Sequence, residues 1–184
     1  MLEMHIRRPV YGDTAELNDF FRMVITDTFN KEGIGGLLDD IEKEIEVKKE
    51  YLLEDLSSRG ENRYFLLAQV DGKMIGTVEF GPAGSLILEG TGGEYRGLFE
   101  VGTVFVHPDF QGRRIGSSLL GSLYSVFQER GIKEFCLDSG YKRAQEIWKR
   151  KFGQPEVVME DYWGKGSHHM IWRPGTDELL GSFS

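Results

Sequence analysis

Residues 98–138 constrain the fold more than any other part of the chain. The run 98–107 is rich in apolar and β-branched residues and suits a long, mostly buried strand, which Pro108 ends. A short polar loop follows. Ile115, Leu119, Leu120, Leu123, Val126 and Phe127 then recur at helical spacing as far as Gly131, a residue suited to the C-terminal cap. Residues 134–138 read as another strand. Strand, helix and strand with short joins form a βαβ crossover, so the strands at 98–107 and 134–138 are expected to be parallel neighbours.

The rest of the chain adds antiparallel pairs around that unit. Strand-like runs at 64–70 and 73–80 flank Asp71-Gly72, a strong two-residue hairpin signal. Upstream lie a short strand at 5–8 and two helices. The first is expected to start at Asp13, an N-cap with Glu16 three residues on, and to bury Leu17, Phe20, Phe21, Val24 and Ile25. The second covers 37–56, with Leu38, Ile41, Ile45, Leu52 and Leu56 roughly on one face. Downstream, a helix at 141–152 turns Ala144, Ile147, Trp148 and Phe152 inward, and 157–162 with 168–172 forms a closing hairpin. The expected fold is therefore mixed α/β, of the α+β kind. Its mostly antiparallel mixed sheet has about seven strands with a central parallel pair, flanked by about four helices.

At 184 residues the chain is expected to be one domain over 1–174, with a loose tail at 175–184. No apolar run approaches the roughly 18 residues of a membrane span. A net charge of −8 works against nonspecific nucleic-acid binding and permits a cationic partner. A single cysteine, Cys136, excludes an internal disulfide framework, and the amino terminus lacks the apolar core of a signal peptide. A reducing cytoplasm is the expected location.

Chemistry concentrates at the end of the central strand, in Val104-Phe105-Val106-His107-Pro108-Asp109-Phe110-Gln111-Gly112-Arg113-Arg114-Ile115-Gly116-Ser117. A tight glycine-bearing loop that enters a helix N-terminus points backbone N–H groups and the positive end of the dipole at one spot, which suits a pyrophosphate. Arg113 and Arg114 add cationic charge. The loop has neither the Gly-Lys-Ser/Thr of a Walker motif nor the Gly-x-Gly-x-x-Gly of a dinucleotide site, so nucleotide hydrolysis and hydride transfer lose their motifs.

This segment resembles the acyl-coenzyme A loop of GNAT-type N-acetyltransferases, Gln/Arg-x-x-Gly-x-Gly/Ala, preceded by a strand ending Leu-x-Val-x-Pro. It departs from that pattern at Arg114, where the first motif glycine usually lies. The hairpin before the loop, the strand after it and a helix carrying Ala144-x-x-x-Trp148 follow the family order, and the likeness is closest over about 64–152. The resemblance implies a GNAT-like fold, acetyl-CoA as cosubstrate, no metal, and transfer of acetyl to a primary amine by direct attack in a ternary complex. The acceptor would be a small molecule or a peptide, nucleic acid and membrane are not expected as partners, and a homodimer is compatible with the family. Backbone groups of Val104, Phe105 and Val106 would pair with the pantetheine arm, and Gln111, Gly112, Arg113, Arg114, Ile115, Gly116 and Ser117 would hold the pyrophosphate.

The resemblance also marks Glu100, four residues before Val104, as a candidate general base whose burial would raise its pKa; a structural glutamate bonded to backbone or arginine is the equal alternative. The family tyrosine that protonates the departing thiolate falls at Trp148, and indole cannot serve as that acid. Trp148 is expected to pack on the coenzyme or the core; three residues before Ala144, where the family frequently has Asn, Tyr141 offers a phenol that could reach the sulfur, although an exposed tyrosine at the helix start is the favoured reading. A non-catalytic acyl-CoA-binding or sensor domain is the competing reading. Cys136, between Phe135 and Leu137, is expected to be a buried inert thiol. His168-His169 has no partner at metal-ligand spacing, and the acidic run 39–44 reads as a solvated helix face with i,i+4 pairs Asp39/Lys43 and Glu44/Lys48.

Overall fold

A computed structural model describes residues 3–181. The chain forms two compact units, one from Met1–Glu79 and Thr103–Leu119, the other from Phe80–Gly102 and Leu120–Ser184. The strands are β1 (Met4–Arg7), β2 (Tyr64–Val70), β3 (Lys73–Pro82), β4 (Phe99–Val106), β5 (Leu137–Ser139), β6 (Val157–Met159) and β7 (His169–Trp172). The helices are α1 (Thr14–Lys31), α2 (Leu38–Ser58), α3 (Ser85–Gly90), α4 (Ile115–Arg130) and α5 (Lys142–Phe152). This is the mixed α/β architecture expected. It has one helix more than expected, because the glycine-rich connection at 81–97 folds into the six-residue α3.

In the first unit, α1 and α2 bury Leu17, Phe21, Ile45 and Leu52 with Phe65, Leu67 and Ile75 of β2 and β3. Each such side chain contributes about 1.5–3 kcal/mol of transfer free energy. Asp71 and Gly72 both take positive φ, 49° and 78°, as the tight β2–β3 hairpin requires. The expected cap of α1 takes another form. Asp13 makes no side-chain bond to that helix; it accepts two hydrogen bonds from Arg7 (2.8 Å each) and one from Val10 N–H (2.8 Å). Glu16 accepts from Met74 N–H at 3.1 Å instead of closing a capping box. Among the acidic residues of α2, Glu44 pairs with Lys48 at 3.6 Å as expected, whereas Glu42 reaches across to Arg22 of α1.

The seven strands lie in two sheets, β1-β2-β3-β4 and β5-β7-β6, rather than one. The expected central parallel pair reduces to a single parallel bridge, Glu100 with Cys136, closed by Val101 N–H to Cys136 O and Cys136 N–H to Phe99 O at 2.9 Å each. The local reason is Thr103, which takes φ +48° inside β4: a left-handed residue turns the strand out of a regular ladder. β5 pairs antiparallel with β7 instead, Leu137 opposite Trp172.

The second unit packs a run of rings: Phe80 stands edge-on to Phe127 (4.8 Å), Phe127 meets Phe135 (5.8 Å), Phe135 meets Phe152, and Phe152 stacks on Trp148. The expected loose tail is ordered where it is described. Thr176 bonds to the Lys133 and Ile132 carbonyls, and Leu179 is fully buried, so an apolar side chain anchors the segment. Ser182 to Ser184 of that tail, like Met1 and Leu2 of the amino terminus, lie outside the described residues.

Candidate active site

The expected anion-binding segment lies wholly in the first unit. Val104, Phe105 and Val106 are half-buried at the end of β4, and His107 N–H closes the ladder on Ile75 O at 2.8 Å. Pro108–Phe110 make one tight turn, with Asp109 N–H donating to His107 Nδ1 at 3.1 Å. Because that nitrogen accepts, a neutral His107 carries its proton on Nε2. Gln111 donates to Val106 O and accepts from Lys31 Nζ, both at 3.4 Å, and Arg113 lies over the Phe110 ring at 5.2 Å.

Two left-handed residues, Gly112 (φ +76°) and Arg114 (φ +61°), then reverse the chain into α4. The first bond along that helix runs from Ser118 N–H to Arg114 O (3.0 Å). Ile115, Gly116 and Ser117 therefore begin the helix with N–H groups that have no acceptor one turn back. A Cβ on Gly112 would meet nothing within 4 Å, so the loop backbone is open to a ligand. The helix start is seated on Gly76 of β3, where a Cβ would come within 2.9 Å of Leu119, 3.0 Å of Ile115 and 3.2 Å of the Phe105 carbonyl. Backbone donors, the helix dipole and two exposed arginines thus form a cradle of the kind that suits an anion such as pyrophosphate.

Behind the strand end lies a buried polar network that inspection of the sequence missed. Thr103 is 4% exposed and β-branched, yet holds φ +48°. Its hydroxyl donates to Glu79 Oε2 at 2.5 Å, and its carbonyl accepts from Thr77 Oγ1 at 2.8 Å. Glu79, 1% exposed, takes Arg63 Nη1 on its other oxygen at 2.8 Å, and the Arg63 guanidinium also bonds Glu54 and covers the Tyr51 ring at 3.6 Å. Burial works against the Arg63 charge, but the Glu79 and Glu54 carboxylates hold its pKa above the ordinary value. The network accounts for a strained backbone just before Val104, since such strain persists only where its surroundings over-determine it. The one sequence signal was a glutamate inside the apolar run Val78-Glu79-Phe80.

The remaining candidates belong to the second unit. Glu100 is half-buried and accepts from Gly84 N–H at 2.9 Å, at the start of α3. Tyr141 is half-buried at the N-cap of α5, its N–H on Ser139 Oγ at 3.0 Å. Trp148 is 8% exposed and stacked on Phe152 at 5.6 Å, which leaves its ring little open surface within the unit. Cys136 is fully buried, and burial, with Glu100 and Asp138 nearby, pushes its thiol far up. A second group not foreseen joins Asp138, His169 and Trp163.

Among the described residues, no three His, Cys, Asp or Glu side chains converge on a metal position, and no helix is long and apolar enough to cross a membrane. No curated protein is significantly similar in sequence. Solved structures are similar in fold. The PaiA N-acetyltransferase of Thermoplasma acidophilum, in complex with coenzyme A, is 18% identical with a TM-score of 0.65 over 94% of this chain and 99% of that one. An acetyltransferase of the GNAT family from Streptococcus pneumoniae is 22% identical, with a TM-score of 0.66 over 97% and 100%. YncA of Salmonella typhimurium, solved with its cofactor acetyl-CoA, is 16% identical, with a TM-score of 0.65 over 98% of each. Residues 27–154 match the Acetyltransferase (GNAT) family, and with the fold and the loop geometry agreeing, the chain belongs to that family.

Proposed function

We propose that the protein is a cytoplasmic N-acetyltransferase that moves acetyl from acetyl-CoA to a primary amine. The observation that carries this reading is the loop at 111–117, where Gly112 and Arg114 turn the backbone so that the first N–H groups of α4 are offered outward. The loop would hold the pyrophosphate, and the backbone of Val104, Phe105 and Val106, set by the kink at Thr103, would pair with the pantetheine arm. Two relatives in fold bind coenzyme A or acetyl-CoA, in keeping with that assignment.

In the transfer, the neutral amine attacks the thioester carbonyl, a C–N bond forms, the C–S bond breaks, and one proton leaves nitrogen. Glu100 is the proposed acceptor of that proton. Trp148 cannot return one to sulfur, because an indole does not act as an acid here. An alkyl thiol ionises near pH 8.5 and a phenol near 10, so thiolate departs with little help, and Tyr141 is assigned at most a modest role as acid.

Calorimetric titration with acetyl-CoA tests the cradle. Gly116→Asp adds bulk and negative charge at the helix start and should weaken binding by about tenfold or more, roughly 1.4 kcal/mol. Unchanged affinity in a folded variant would overturn the placement. Release of free thiol with a panel of amines tests turnover, and tight binding without release would make the protein an acyl-CoA-binding or sensor domain.

A further inference from the structure

The second unit holds a side-chain assembly that the proposed transfer does not use. His169, 4% exposed on β7, is bonded at both ring nitrogens: Nδ1 lies 3.1 Å from Trp163 Nε1, and Nε2 lies 2.8 Å from Asp138 Oδ2 on β5. An indole nitrogen only donates, so Nδ1 accepts, and the ring proton sits on Nε2 and is given to the carboxylate. One neutral tautomer satisfies all three groups.

The indole edge is pressed against backbone. A Cβ on Gly140 would lie 2.5 Å from Trp163 Nε1 and 3.2 Å from His169 Nδ1, so only glycine fits beneath it. The loop that carries Trp163 is closed on itself: Trp163 N–H donates to Ser167 O (3.0 Å), Gly166 N–H to Asp161 Oδ1 (2.7 Å) and Asp161 N–H to His168 Nδ1 (2.9 Å). Trp163 is thus fixed along one edge while 56% of it stays exposed. Tyr162, 39% exposed, stands edge-on to it at 4.8 Å.

A stability device would be built the other way round. Burying a histidine and a carboxylate costs desolvation, and a tryptophan left mostly in solvent recovers little of it. What the arrangement does provide is a rigid aromatic ledge rimmed by acid. The Tyr162 hydroxyl lies 3.3 Å from Glu89 Oε2 of α3, and Glu89 itself is exposed. Tryptophan offers the best ring face for a cation, and an adjacent carboxylate adds attraction of the same sign.

We infer that Trp163 and Tyr162, with Glu89, bind an alkylammonium group, the second cationic group of the amine acceptor. That the ligand is the acceptor rests on the proposed transfer reaction; ammonium binding does not. Trp148 and Trp172 are 8% and 1% exposed, so the fluorescence response to a soluble ligand belongs to Trp163.

The free protein is titrated with n-butylammonium and with Nα-acetyl-lysine amide, using n-butanol and sodium chloride as controls. Saturable quenching by an ammonium compound and none by butanol is the expected result; response to the lysine amide alone assigns the ledge to peptide side chains, and response to both to free amines as well. By calorimetry, Glu89→Gln should weaken binding at least fivefold and Trp163→Leu should abolish it. No saturable response, an equal response to butanol, or indifference to Glu89→Gln on the exposed rim would overturn the inference. Where acetyl transfer is observed, Glu89→Gln should raise KM for a diamine relative to a monoamine and leave kcat unchanged. Ammonium binding without any transfer of acetyl would refute the reaction and leave the ledge standing.

Discussion

Arg114→Gly should stabilise this protein. Arg114 holds φ +61° at the turn into α4, in the left-handed region where the Cβ of an L-residue crowds the following carbonyl oxygen. That crowding costs about 1–2 kcal/mol, while glycine at the same angle is unstrained. Glycine also loses more backbone freedom on folding, about 0.5–1 kcal/mol relative to alanine. The difference spans about 0–1.5 kcal/mol and centres on a net gain of about 0.5–1 kcal/mol, and because Arg114 is exposed, little packing is lost with its side chain. In a chain of this length each kcal/mol moves Tm by about 2–4 °C, so calorimetric melting should show a rise of about 1–4 °C. Urea unfolding should show a higher midpoint at unchanged m-value. Arg114→Ala separates the two contributions, since it removes the charge and keeps the Cβ, and its Tm should stay within about 1 °C of the parent. A fall in Tm for Arg114→Gly, or an equal rise for Arg114→Ala, would show that backbone strain at this turn is not what the substitution relieves. Acetyl-CoA affinity should fall by no more than about fivefold, because an exposed charge pair contributes only about 0–1 kcal/mol.

Glu79→Leu should cost about 3 kcal/mol in urea unfolding, because it leaves the 7% exposed Arg63 with one partner fewer and removes the acceptor of the Thr103 hydroxyl; a loss below 1 kcal/mol would mean that the network does not hold the strand. Asp13 governs acid stability. Its two bonds from Arg7 hold the carboxyl below its ordinary range, so its stabilisation is fully present above the unfolded value near 3.9 and is lost as pH falls through the lower folded value. Asp13→Asn should therefore be less stable than the parent at pH 7 and should converge on it below about pH 3.9; an equal difference at pH 7 and pH 3 would refute the assignment.

Most elements were legible because their determinants sit within a few residues of one another. The run at 64–70 became β2 with the same limits, Asp71-Gly72 made the turn it announces, and Ile115 and Gly131 mark the ends of α4. What failed depended on distant partners. Asp13 and Glu16 have capping-box spacing, but Arg7 and Met74 N–H take both carboxylates, and nothing within the box reports that competition. Six glycines among residues 81–97 hid α3, which is too short to show a period and is anchored by one side chain, Ile87. The crossover pattern placed β4 to within a residue at each end but set its second strand at 134–138, where the structure has isolated bridges at Glu134 and Cys136 and begins β5 at Leu137, and it could not count the rungs between the two. Asp138 and His169 lie 31 positions apart and obey no spacing rule, so their bond belongs to the fold alone. Arg114 carries the sharpest lesson for the candidate site. Read as a residue, it breaks the family motif; read as a backbone angle, φ +61° is the conformation for which a glycine at that place is suited. What the proposed anion site requires is a left-handed turn that turns the first N–H groups of α4 outward, and a chain can keep that geometry while losing the letter that usually signals it, provided the rest of the domain supplies the 1–2 kcal/mol the angle costs.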